Sequence, residues 1–116
     1  MASRTARPFL LDGWLTPNSY GQDYAPLPKG AGIYAFTYFV FDIDDIHEFI
    51  LYVGMSTNIA QRVANHNLLP KLRSKHRFVA VYFFPLHRSS IREKEREFIR
   101  KFKPPYNIIG RIAGEA

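Results

Sequence analysis

Gly32-Ile-Tyr-Ala-Phe-Thr-Tyr-Phe-Val40, followed by Phe49-Ile-Leu-Tyr-Val-Gly54, is the stretch on which the fold turns. Both runs are dense in β-branched and aromatic residues, which pack well on a pleated surface, and both are strand-sized. The connection between them carries Asp42, Asp44, Asp45 and Glu48, a polar stretch suited to a solvated hairpin tip. Two such runs so close in the chain are expected to pair antiparallel.

Working downstream, Ser56 or Thr57 is expected to cap a helix running to about Leu68, where Pro70 breaks it. A basic loop follows, with Lys71, Arg73, Lys75 and Arg77. The run Phe78 to Phe84 is apolar enough to form a third strand lying centrally with both faces covered. Ser90-Ile-Arg-Glu93 matches a capping box and opens a second helix that ends near Phe102, ahead of Pro104 and Pro105. The order is β-β-α-β-α, an α+β fold with a small three-stranded antiparallel sheet flanked by helices. Upstream, residues 1–30 have no clean period. They are expected to form an N-terminal extension packed on the core, because Trp14, Tyr20 and Tyr24 would be poorly placed in water. Residues 31–110 then form the domain proper, and residues 111–116 a tail.

Composition narrows the function classes. At 116 residues and 47% hydrophobic, the chain suits one packed domain and excludes disorder as the default. The absence of Cys excludes disulfides and thiolate metal sites. No apolar run is of membrane-spanning length, and the N-terminus lacks a signal-peptide pattern, so a cytoplasmic protein without membrane contact is expected. Residues 61–111 carry thirteen Lys/Arg against three Glu, whereas residues 1–60 carry three against six Asp/Glu. A charge distribution this lopsided prepares the second half to meet a polyanion. The cations of the loop, together with Arg88 and Arg92, are candidate contacts to a nucleic-acid backbone, although each is individually compatible with a solvated surface.

One residue is out of place in its own helix. At about 100° per residue, Glu95 falls about 40° from Ile91, inside the stripe formed by Ile91, Phe98, Ile99 and Phe102. Glu93 and Glu97 fall on the opposite, wet face. A carboxylate on a core-facing stripe needs a cation, several hydrogen bonds or a metal. A buried pair with Arg62 is one solution. A Mg²⁺ anchor is another, because Mg²⁺ keeps most of its waters and takes one or two carboxylates.

The two strands also carry Gly32-Ile33-Tyr34 and Tyr52-Val53-Gly54. Asn58, Arg62 and His66 follow at four-residue intervals, and Pro104-Pro105-Tyr106-Asn107 closes the second helix. With these positions the chain resembles the GIY-YIG nuclease family over about residues 32–109. Tyr52 is followed ten residues later by Arg62, similar to that family's second tyrosine and arginine. Glu95 through Asn107 resembles its metal-binding glutamate, helix end and terminal asparagine, and Tyr34 corresponds to the first tyrosine. Two departures stand out. The Tyr34–Tyr52 interval of eighteen is longer than usual, and Met55 replaces a lysine found in some members.

The resemblance implies a metal-dependent endonuclease acting on DNA, with Mg²⁺ or Mn²⁺ on Glu95. Hydrolysis of a phosphodiester needs an aligned water, a proton acceptor and stabilisation of charge on phosphate and leaving oxygen. Arg62 would stabilise the transition state through a forked contact. Tyr34 and Tyr52 both stay open as the general base. His66 is expected to relay a proton, hold a tyrosine or contact phosphate, and Asn107 to fix a loop or phosphate contact near the metal. The alternative is a catalytically inactive nucleic-acid-binding or interaction module on the same fold. What selects the target, and whether the chain acts as monomer or homodimer, stay open; residues 1–30, the long hairpin and a separate partner are the candidates.

Overall fold

The computed structural model describes Trp14 and residues 29–107. Strand β1 (Gly32–Phe41) and strand β2 (Ile46–Ser56) form the expected hairpin, and each extends further than its apolar run. Register runs from Gly32 opposite Ser56 to Phe41 opposite Ile46, with a bulge at Phe36/Thr37 that leaves Leu51 without an opposite number. Strand β3 (Val79–Pro85) pairs antiparallel with the other side of β1, giving the order β2-β1-β3.

The central strand is therefore β1, and β3 is an edge, contrary to expectation. The reason lies in burial: Ile33 through Thr37 are all buried, so both faces of β1 are covered, whereas most of β3 is only half-buried. Gly32 permits the close approach of these two strands. A Cβ there would lie 2.5 Å from the Phe84 carbonyl oxygen.

The helical region also differs. Helix α1 (Ile59–Ala64) is capped by Asn58, whose Oδ1 accepts from Gln61 N–H at 3.1 Å. Ser56 instead forms a local turn, its Oγ accepting from Asn58 N–H at 2.9 Å. The helix stops at Asn65, and helix α2 (Leu68–Lys75) occupies what the sequence suggested was a loop. Pro70 does not break α2 because it sits in the first turn, where its missing N–H has no intrahelical acceptor. Helix α3 (Ile91–Phe102) ends where expected, but Ser90 makes no side-chain cap bond, so the capping box is not formed. Lys103, in left-handed conformation at φ 48°, closes it by donating its N–H to Ile99 O.

The sheet separates two apolar layers. On one face Ile33, Ala35, Val53 and Tyr82 meet Ile91 and Phe98 of α3. On the other, Tyr34, Phe36 and Leu51 meet Ile59 and Val63 of α1 and Leu69 and Leu72 of α2. Trp14 packs its ring on Phe84 and Phe98, at 5.4 and 4.8 Å between centroids. Residues 1–13 and 15–28 of the suggested N-terminal extension, and the suggested tail, lie outside the described residues. Among the described residues, no helix is long and apolar enough to cross a membrane.

Candidate active site

Alternation along β1 and β2 places Tyr34 and Tyr52 on the face covered by α1. Their rings lie 6.1 Å apart. Arg62 and His66 reach the same place from α1 and the turn after it, one helical turn apart. His66 packs edge-on against Tyr34 at 5.6 Å, Tyr52 at 5.2 Å and Phe36 at 5.0 Å. The exposed Arg62 lies close enough for its charge to act on the Tyr34 hydroxyl, as does the neighbouring Tyr52. Gly54 makes this packing feasible, since a Cβ there would sit 2.5 Å from both Cζ and Oη of Tyr34.

Electrostatics distinguish the members. Burial pushes the Tyr34 hydroxyl well above the ordinary tyrosine value, and charge repulsion from the neighbouring Tyr52 adds to this against the opposing pull of Arg62. Tyr34 thus keeps its proton. His66 moves the other way, down to about 4, through burial and then the neighbouring Arg62 charge. Its Nδ1 accepts from Leu68 N–H at 3.1 Å, so the neutral ring carries its proton on Nε2. That Nε2–H is buried and has no hydrogen-bond acceptor among the described residues.

The other two predicted positions lie elsewhere. Asn107 sits at the outer edge of β2. Its Oδ1 accepts from Val53 N–H at 2.8 Å and its Nδ2 donates to Val53 O at 2.7 Å. The side chain therefore imitates a neighbouring strand, and Asn107 acts as a clamp on β2. Tyr106 beside it packs against the tyrosine-side layer, whereas α3 packs on the opposite layer. The chain after α3 thus wraps around the edge of β2. Glu95 is half-buried on α3, while Glu93 and Glu97 are exposed, as the helical pattern implied. Four of the six positions gather on one face, Asn107 marks the edge, and Glu95 belongs to the helix behind it.

The candidate backbone contacts are all exposed. Lys71, Arg73 and Lys75 lie on α2, on the tyrosine side, and Arg77 follows it. Arg88 and Arg92 stand at the start of α3, so the set is divided between two sides of the sheet. His76 stacks on Tyr38 at 4.1 Å, and His87 Nδ1 bonds Ser89 Oγ at 2.9 Å.

Glu48 corrects the sequence reading. Rather than belonging to the solvated tip, it is 8% exposed, and its carboxylate accepts from the Tyr82 hydroxyl and from Thr37 Oγ1. Strand parity held the signal: Glu48 shares its face with Ile50, two residues on, rather than with the acidic loop.

Among known proteins, the GIY-YIG catalytic domain matches residues 34–107 of this chain. The chain is 28% identical over 99 residues to UvrABC system protein C of Streptomyces griseus subsp. griseus, an alignment covering 79% of this chain and 13% of that protein. It thus spans only a small part of that relative. No solved structure matches it significantly. The family match begins on Tyr34 and ends on Asn107, the two residues that begin the tyrosine cluster and clamp its strand: this chain belongs to the GIY-YIG nuclease family.

Proposed function

We propose that the protein is a metal-dependent endonuclease that hydrolyses phosphodiester bonds in DNA. The observation that carries this reading is the convergence of Tyr34, Tyr52, Arg62 and His66 on one sheet face. Such a group holds a proton donor, a proton acceptor, a permanent cation and a neutral N–H donor together.

Burial favours a Tyr34 that retains its proton, which leaves Tyr52 as the tyrosine to take the proton of the attacking water. A free phenol titrates at about 10, so it needs a cation or hydrogen-bond donor to serve as a base near neutrality. Arg62, whose charge already acts on Tyr34 in the same cluster, is the cation available for that role. Arg62 also suits the phosphate, since it is always charged and can make forked contacts. His66, locked as an Nε2–H donor, suits a phosphate oxygen or the Tyr52 oxygen and is unsuited to act as a base.

Glu95 is the residue that would hold the divalent ion. A single half-buried carboxylate fits a hard cation that keeps most of its waters, and among the described residues no group of three His, Cys, Asp or Glu forms a fuller cage. When bound, Mg²⁺ or Mn²⁺ supplies charge neutralisation at the phosphate and the leaving 3′-oxygen.

Cleavage of duplex and branched DNA with and without Mg²⁺ tests the proposal. Wild type should nick only with metal. Glu95→Gln should fold, bind DNA and lose metal-dependent cleavage, and Arg62→Lys should lose about 10²–10³-fold in rate. A wild type that binds DNA but never cuts it supports the inactive binding module instead. A Glu95→Gln protein that fails to fold supports a purely structural glutamate.

A further inference from the structure

Beyond the tyrosine cluster, the same sheet face carries a second group of rings. His76 stacks on Tyr38 at 4.1 Å, and Tyr38 stacks on Phe49 at 5.0 Å, with interplanar angles of 26° and 25°. Tyr38 is the middle ring, on the central strand. Phe49 is the outer ring, on the edge strand β2, and is 46% exposed. It stands in the wall of a cleft of about 480 Å³ that runs along the outer edge of β2. Across the cleft stand Lys101, Phe102 and Lys103 at the end of α3. This volume lies within the range of ligand pockets, about 300–1,000 Å³.

We propose that this cleft seats one unpaired nucleotide of the DNA substrate, its base stacked on Phe49 and its phosphate held by Lys101 and Lys103. The proposal rests on the reading that DNA is the substrate. A base added to Phe49 extends a three-ring stack by a fourth member, and stacking of this kind accepts any base. The base must be unpaired, because inside a duplex both of its faces are already covered. Leu51 lines the cleft and is the chain neighbour of Tyr52, so the cleft lies along the strand that carries Tyr52. At about 3.3 Å per residue, Phe49 lies about 10 Å along the strand from Tyr52. The anionic Glu48 also lines the cleft, but its carboxylate is tied to Thr37 and Tyr82 inside the protein. Beyond Phe49 the exposed Asp42, Asp44 and Asp45 set a repulsive limit to the footprint.

Binding measured by fluorescence anisotropy without divalent metal tests this, using a blunt duplex and the same duplex with an unpaired extension. Wild type should prefer the extended duplex by roughly 5- to 150-fold, the range for one stacked base. Phe49→Ala should erase the preference and Phe49→Tyr should keep it. Replacing the extension with abasic units should also erase it. Lys101→Ala combined with Lys103→Asn, which tolerates the left-handed backbone, should weaken binding and flatten its salt dependence. Equal affinity of wild type for both duplexes overturns the proposal, as does a preference that survives Phe49→Ala. A wild type that shows the preference yet never nicks DNA with Mg²⁺ supports this site and sinks the nuclease reading alone.

Discussion

At the scale of single residues, His66 and Gly54 decide how the tyrosines can act. The depressed His66 value means that the unfolded chain binds its proton more readily than the folded one. Stability from this group is therefore complete above pH 6.5 and falls as pH drops toward about 4. Urea titrations at pH 7 and pH 4.5 should show a larger loss for wild type than for His66→Asn, which cannot charge; equal losses would contradict the buried, neutral ring. Gly54→Ala drives a methyl group into Tyr34 at 2.5 Å. Overpacking of this kind costs about 1–3 kcal/mol, and the displaced Tyr34 should lower cleavage more than stability. Thermal melts beside cleavage rates read the two effects separately. Tyr34, Tyr52, Arg62 and Glu95 were all legible as candidates from their spacing. The role of Gly54 was not, because it depends on which ring from the adjacent strand crosses over it.

Among the secondary-structure elements, β2 is the one that organises the site. It carries Tyr52 on one face and Val53 on the other, while its outer edge receives Asn107. Asn107→Ala leaves the Val53 N–H and C=O without their partner, at about 1–3 kcal/mol if they stay shielded from water. Hydrogen exchange should show the Val53 amide losing protection before the β1–β3 amides do; unchanged protection would rule out the clamp. The strands were readable from β-branched and aromatic density, and α3 from its amphipathic stripe. Helix α2 was missed because Pro70 reads as a breaker unless its place in the first turn is known. That place depends on α1 ending at Asn65, where Asn65 Nδ2 donates to Gln61 O at 3.0 Å. Likewise, β3 reads as strongly apolar, yet it became an edge because β1 pairs on both sides.

For the molecule as a whole, charge is arranged along the sheet. The cations of α2 stand beside the tyrosine face, and the acidic hairpin tip stands away from it. Replacing Asp42, Asp44 and Asp45 together with Asn keeps the turn bonds to Ile43 N–H and Ile46 N–H while removing three negative charges. DNA affinity should rise at low salt and converge with wild type at high salt, where the Debye length falls to about 3 Å at 1 M. Conversely, Lys71→Ala with Lys75→Ala should reduce the salt slope by about 0.9 for each phosphate that the two lysines neutralise in wild type. By itself the sequence determined the α+β class, the hairpin, the family and which of three glutamates is anomalous, because strand density, helical period and motif spacing are local properties. Only the tertiary structure decided that β1 is central, that Glu48 is bonded inside the protein, that Tyr34 keeps its proton and that His66 is a fixed donor. Each of those depends on which groups exclude water from one another and which hydrogen bonds replace that water, and both are properties of contacts between distant segments.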